Sequence, residues 1–357
     1  MNQSFMKEKP VFPLLTSMAL PMVISMLVNS LYNIIDSFFV AQISEQAMTA
    51  LSLVYPVQNL INAIAIGFGV GMNALIALCL GAGDVKNADR AATHGMLFSI
   101  VHGIVITVVS IGIMPFFLSL FTKDTEVLQL GTRYASIAFS FSLIIMLGLA
   151  FEKIFQAVGN MKITMAALLC GCITNIILDP LLIFGIGFLP RLGIAGAALA
   201  TAFCPVVTML VCSTHYLSKK CNIGFKWKRL SLRHLISCCQ LGVSAFVGEI
   251  SSAVITFIFN MLILGLTGST GVAAYGVVAN MSLVGMAIMN GMSQGAQPLI
   301  SESFGKGAAD DVKKLLSWAL KSVVAVEIIL VALVWIFTDP FIAVFNSENN
   351  RLLLEYA

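Results

Sequence analysis

Apolar residues follow one another along this chain over stretches longer than a soluble helix buries. Near-continuous apolar runs occupy residues 14–39, 53–80, 93–118, 134–151, 163–187, 193–217, 235–264, 272–301 and 315–337, with short polar segments between them. About 20 residues of helix cross a hydrocarbon core ~30 Å thick, so each run is long enough for one span. Nine spans are predicted, and the fold class is all-α, a polytopic membrane protein. After residue 340 a polar turn, SENNR, leads into LLLEYA, which reads as the first turn of a tenth span; the sequence is expected to be a fragment.

Composition agrees with that pattern. Hydrophobic residues make up 59% of the 357 and charged ones 10%, against roughly 25% charged in a soluble domain. Lys and Arg near span ends are retained on the cytoplasmic side. With the N-terminus in the cytoplasm, every Lys and Arg falls on that side except Lys123, Arg133, Arg191 and Arg351. The net charge of +3 is therefore a topology signal, and no nucleic-acid partner is expected. The eight cysteines lie mostly inside spans, without CxxC pairs or metal spacing, and read as buried free thiols. The first apolar run is too long for a cleaved signal peptide and carries an acid. No phosphate-binding GxxxxGKS or GxxxxGKT run is present, so ATP drive is not expected, and no catalytic role is assigned.

The chain repeats itself. One ungapped shift lays Ala63, Gly67, Gly71, Leu75, Gly81 and Gly83 on Ala287, Gly291, Gly295, Leu299, Gly305 and Gly307. Spans 1 to 3 thus recur as spans 7 to 9. An offset of six spans, an even number, makes the copies enter the membrane in the same direction, a parallel repeat about an axis along the membrane normal. Residues 1–218 form a first six-helix bundle and 219–234 a basic cytoplasmic linker. Residues 235–357 carry spans 7 to 9 and the start of a tenth, an incomplete second bundle. The small residues repeated along span 2 suit close helix packing.

The chemistry concentrates in polar residues inside spans. Asn175 and Asp179, four residues apart, share a helix face and precede Pro180. A carboxylate at the centre of a membrane helix costs about 2.5–3.5 kcal/mol on insertion scales, so an acid there implies a partner, and a job with protons or cations. Asp36 lies near the far end of span 1, on one face with Asn29, Tyr32 and Asn33, above a possible bend at Pro21. By helical rise Asp36 sits ~33 Å up span 1, Asp179 ~24 Å up span 5 and Thr201 ~12 Å down span 6. Two carboxylates, an amide and a hydroxyl at similar depth would suit Na⁺, or one proton held between coupled acids. In the second half Glu249 lies in span 7, Gln294 in span 8 and Glu327 in span 9, while Glu152 and Glu302 lie near cytoplasmic ends, where snorkelling accounts for them.

These residues resemble the multidrug and toxic compound extrusion (MATE) family of transporters. The matching features are Gln156, Gly159, Asn160 and Lys162; Asn175, Asp179 and Pro180; Gly193 through Thr201; Pro21 with Asp36; and Gly291 through Gly307. The resemblance implies two six-helix bundles around a cavity that opens alternately to each side, and export of cationic or amphipathic small molecules against inward H⁺ or Na⁺. It implies a cation site of Asp36, Asn175, Asp179 and Thr201, with Glu249 serving the second-half cavity; beside it, the residues themselves offer Asn33, Tyr32 and Gln294 as cavity candidates and Pro21 as a hinge. No cofactor is expected beyond the coupling ion. A monomer in contact with membrane lipid, in the plasma (inner) membrane of a bacterium, is expected. The departure from the family pattern is length, since the sequence stops as a tenth span begins. A flippase for lipid-linked oligosaccharides is the alternative. It calls for Arg or Lys in the middle of spans, and none is read there.

Overall fold

The computed structural model describes residues 10–186, 190–218, 224–225 and 232–338. These fold into nine helices, and there is no strand among the described residues: α1 (Val11–Ala41), α2 (Glu45–Gly81), α3 (Val85–Ser119), α4 (Thr125–Ser140), α5 (Ser142–Ala157), α6 (Met161–Phe184), α7 (Ile194–Leu217), α8 (Leu232–Gly305) and α9 (Ala309–Ile336). Seven stretches are long and apolar enough to cross a membrane, and the α4–α5 pair adds an eighth if it is one bent span. The chain is a multi-pass membrane protein. Most of the proposed linker 219–234, and the predicted start of a tenth span, lie outside the described residues.

Local sequence explains where several helices start. Ser44, Asp84 and Asp124 each cap a helix by accepting a backbone N–H, from Ala47 at 3.0 Å, Asn87 at 3.0 Å and Glu126 at 2.8 Å, which satisfies donors the first turn leaves open. The turns after α2 and α8 are built alike: Gly83 and its repeat partner Gly307 take φ of 75° and 73°, a left-handed conformation open to glycine without strain.

Three predicted spans take a different form. The run read as 134–151 is instead the α4–α5 pair, 125–157, bent by 44° at Phe141. No proline lies there. Ser140 turns its hydroxyl back on the Ser136 carbonyl at 2.5 Å, a bond that competes with the helical ladder and bends helices. The runs 235–264 and 272–301 are joined in α8, whose 74 residues would reach about 110 Å if straight. Yet the Cys238 carbonyl lies against Gly71 of α2, and Gln297 Nε2 donates to the Val70 carbonyl at 3.0 Å. Both ends of α8 therefore meet the same turn of α2, so the helix doubles back.

Glycine makes these approaches possible. A Cβ on Gly71 would overlap the Cys238 backbone, one on Gly242 the Gly67 backbone, and one on Gly81 or Gly305 the backbone of Glu302 or Leu78. Gly291 and Gly295 of α8 press in the same way against Val23 and Ala19 of α1. The repeated glycine stripe is thus the seam between the first bundle and α8. It runs along the half of the molecule that carries the start of α1 and the ends of α2 and α8. The outer surface of α9 and the middle of α8 are apolar and exposed, with Trp335 86% and Leu266 82% accessible.

A candidate cation site between two carboxylates

The site is assembled at the other end of the first bundle, from the last turns of α1 and α6, the early turns of α7 and the middle of α4. Helical spacing puts Asn175 and Asp179 one turn apart on the inner face of α6, both fully buried. Asp36, half-buried, reaches them from α1, and its carboxyl lies within hydrogen-bonding reach of the Asp179 carboxyl. Thr201 of α7 donates its hydroxyl to Asp36 Oδ1 at 3.5 Å. Tyr134 of α4, 1% exposed, brings its hydroxyl beside Thr201. Tyr32, one turn before Asp36, lies near Asp36 and Tyr134.

The unpaired atoms define what this pocket lacks. Among the described residues, neither oxygen of Asp179 and neither end of the Asn175 amide has a hydrogen-bond partner. Two facing carboxylates can offer each other nothing unless a proton or cation stands between them. Two unit charges about 4 Å apart repel by about 4 kcal/mol at an effective dielectric near 20. One proton shared by the pair, or one small cation bound by carboxylate, amide and hydroxyl oxygens, removes that repulsion and satisfies the free oxygens together.

The structure gathers Asp36, Asn175, Asp179 and Thr201 at one end of the first bundle and adds Tyr134, which no motif singled out. Tyr32 joins them, whereas Asn33 is exposed and bonds back to the Asn29 carbonyl at 2.7 Å. Glu249 is exposed on α8. Gln294 is engaged elsewhere, with Lys153 at 3.1 Å and Gln156 at 3.2 Å. It abuts Met26 of α1, and Asp36 lies ten residues, about 15 Å, further along that helix. Pro21 is buried in an α1 that runs unbroken through it. Glu152 and Lys153 are corrections. Read from sequence as lying at a water boundary, they are 6% and 2% exposed and paired at 3.0 Å.

The MatE family profile matches residues 21–181 and 245–357. The chain belongs to the MatE family. Among curated relatives, Multidrug export protein MepA of Staphylococcus haemolyticus (strain JCSC1435) is 28% identical over 351 residues, 95% of this chain and 76% of that protein. An FAD transporter of Shewanella oneidensis is 26% identical over 96% of this chain and 76% of its own length. Among solved structures, a MATE protein in the straight conformation superposes with a TM-score of 0.90 at 25% identity, over 97% of this chain and 77% of that one. A MOP superfamily transporter from Pyrococcus furiosus Vc1 (DSM3638) gives 0.90 at 24% identity, over 97% and 77%. Membership bears out the resemblance drawn from the motifs and makes this MatE protein a membrane transporter of small molecules, not an enzyme.

Proposed function

We propose that this MatE protein is a secondary exporter that couples outward movement of cationic or amphipathic compounds to inward flow of H⁺ or Na⁺ through Asp36, Asn175, Asp179 and Thr201. One observation carries the reading: the buried Asp179 carboxyl faces the half-buried Asp36 carboxyl and, among the described residues, finds no donor for either of its oxygens. A transporter driven by a cation needs a site whose occupancy differs between its two access states. Here the pair joins α1 to α6, so neutralising it changes how the two helices pack. When the site is charged, α1 and α6 repel at this end. When a cation enters, they close and the cavity releases its cargo. The distribution of Lys and Arg supports an N-terminus in the cytoplasm, and bacterial relatives support a plasma membrane.

The test is efflux from a pump-deficient bacterium expressing the protein, under imposed pH and Na⁺ gradients, for wild type, Asp36→Asn and Asp179→Asn. The cargoes are a fluorescent cationic drug and FAD, because one relative is a multidrug export protein and another an FAD transporter, at nearly equal identity. Both variants are expected to lose gradient-driven efflux while reaching the membrane at wild-type levels. Normal export by both would end the reading, and a response to only one gradient names the ion.

A further inference from the structure

A second buried polar cluster lies on the seam between the first bundle and α8, far from the carboxylate pair. Lys153 of α5 directs its ammonium to three acceptors: Glu152 Oε1 at 3.0 Å, Gln156 Oε1 at 3.1 Å and Gln294 Oε1 at 3.1 Å. Its three N–H donors are thereby matched. Gln156 Nε2 donates to Glu152 at 2.8 Å and to Gln294 at 3.2 Å, and Asn73 of α2 donates to Gln156 at 3.3 Å. Gln156 and Asn73 are fully buried. Gly69 of α2 leaves room for the lysine stem, since a Cβ there would stand 3.0 Å from Lys153 Cγ. Gly69 is twelve residues, about 18 Å, from the end of α2, and Lys153 is 2% exposed, so the lysine stem packs against the body of that helix and away from solvent.

The bonds divide into two sets. Those among Glu152, Lys153, Gln156 and Asn73 stay inside the first bundle. Those from Lys153 and Gln156 to Gln294 cross to α8, at the level where Gly291 and Gly295 press on α1. Glu152 cancels the charge of the lysine, and among the described residues its third N–H is met by Gln294. Pulling α8 away leaves an N–H of a buried ammonium unmet, which is costly until water or another acceptor replaces the amide.

We propose that Lys153 is a positioning residue for transport, holding α8 against the first bundle through Gln294, and that this lock opens when the seam parts during alternating access. The proposal rests on the export reading only for the cycle in which the lock opens. The lock itself is a property of the observed state. Opening admits water to the seam, which then takes the place of Gln294 on the ammonium.

Amide hydrogen exchange of the purified protein tests this without transport, so failure of the export reading and failure of the lock give separate results. Gln294→Met keeps the length of the side chain among Met22 and Met26 but removes the amide. It is expected to speed exchange at least about tenfold in residues 67–81 and 291–305, the loss of charge-assisted bonds, while leaving the α6–α7 contact at 167–171 and 204–208 unchanged. Gln294→Glu keeps both acceptor contacts and adds a charge toward Lys153, so exchange in the same segments is expected to slow. The proposal is overturned if Gln294→Met stays within twofold of wild type at the seam, if it speeds exchange equally at α6–α7, or if Gln294→Glu behaves as Gln294→Met does. Should Gln294→Met not fold, Gln294→Glu against wild type carries the test alone.

Discussion

Replacing Gly71 by alanine adds one methyl group at the point where the first bundle meets α8. The added Cβ would overlap the Cys238 carbonyl and approach the Gly242 backbone N at 2.9 Å. Both neighbours are backbone, so no side chain can swing away, and the helices have to move apart. Overpacking of this kind costs about 1–3 kcal/mol. The separation also stretches the bond from Gln297 Nε2 to the Val70 carbonyl, now 3.0 Å, which adds about 1 kcal/mol. A matched control lies in α3, where a Cβ on Gly112 meets nothing within 4 Å. There alanine is expected to stabilise by up to about 1 kcal/mol through helix propensity alone. Thermal unfolding in detergent reads both. Gly71→Ala is expected to lower the midpoint by several degrees, and Gly112→Ala to leave it level or raise it. Equal midpoints for the two variants would refute glycine as the condition for the close approach of α2 and α8.

Glu152→Gln strips the counter-charge from a lysine only 2% exposed and is expected to destabilise the fold by about 3–5 kcal/mol. The double variant Glu152→Gln/Lys153→Met is expected to recover most of that, read as the same unfolding midpoint. Tyr134→Phe removes the hydroxyl beside Thr201 and is expected to lower gradient-driven efflux about five- to tenfold with the protein level unchanged; wild-type efflux would take Tyr134 out of the site. Asp84→Ala deletes the cap on Asn87 N–H and is expected to cost about 1 kcal/mol, checked by a small fall in midpoint with efflux unaltered.

The pairing of Asn175 with Asp179 was legible because four residues make one helical turn, whatever surrounds the helix. The cost of a carboxylate in lipid then pointed to a partner without saying which one. That Thr201 and Asp36 meet depends on how α1 packs against α6 and α7, and no local period encodes it. Tyr134 went unnoticed for the same reason. An aromatic residue in an apolar run carries no mark until the helix bend at Phe141 and the packing of α4 bring its hydroxyl to the site. The glycine stripe was visible as small residues at repeated spacing that suit close packing, while the helices it joins came from the tertiary contacts. Lys153 was misread. Near a helix end a lysine ordinarily reaches for water, and only the neighbours Glu152, Gln156 and Gln294 make burial tolerable.

Hydropathy, helical period and internal repetition determined from sequence alone that this is a helical membrane protein with acids on an inner face, because each is a property of one segment in its solvent. Tertiary structure decided which acids face each other, where α8 turns back, and which polar side chains cross between the halves. Those outcomes depend on contacts between residues distant in the chain, whose geometry exists only once the helices have packed.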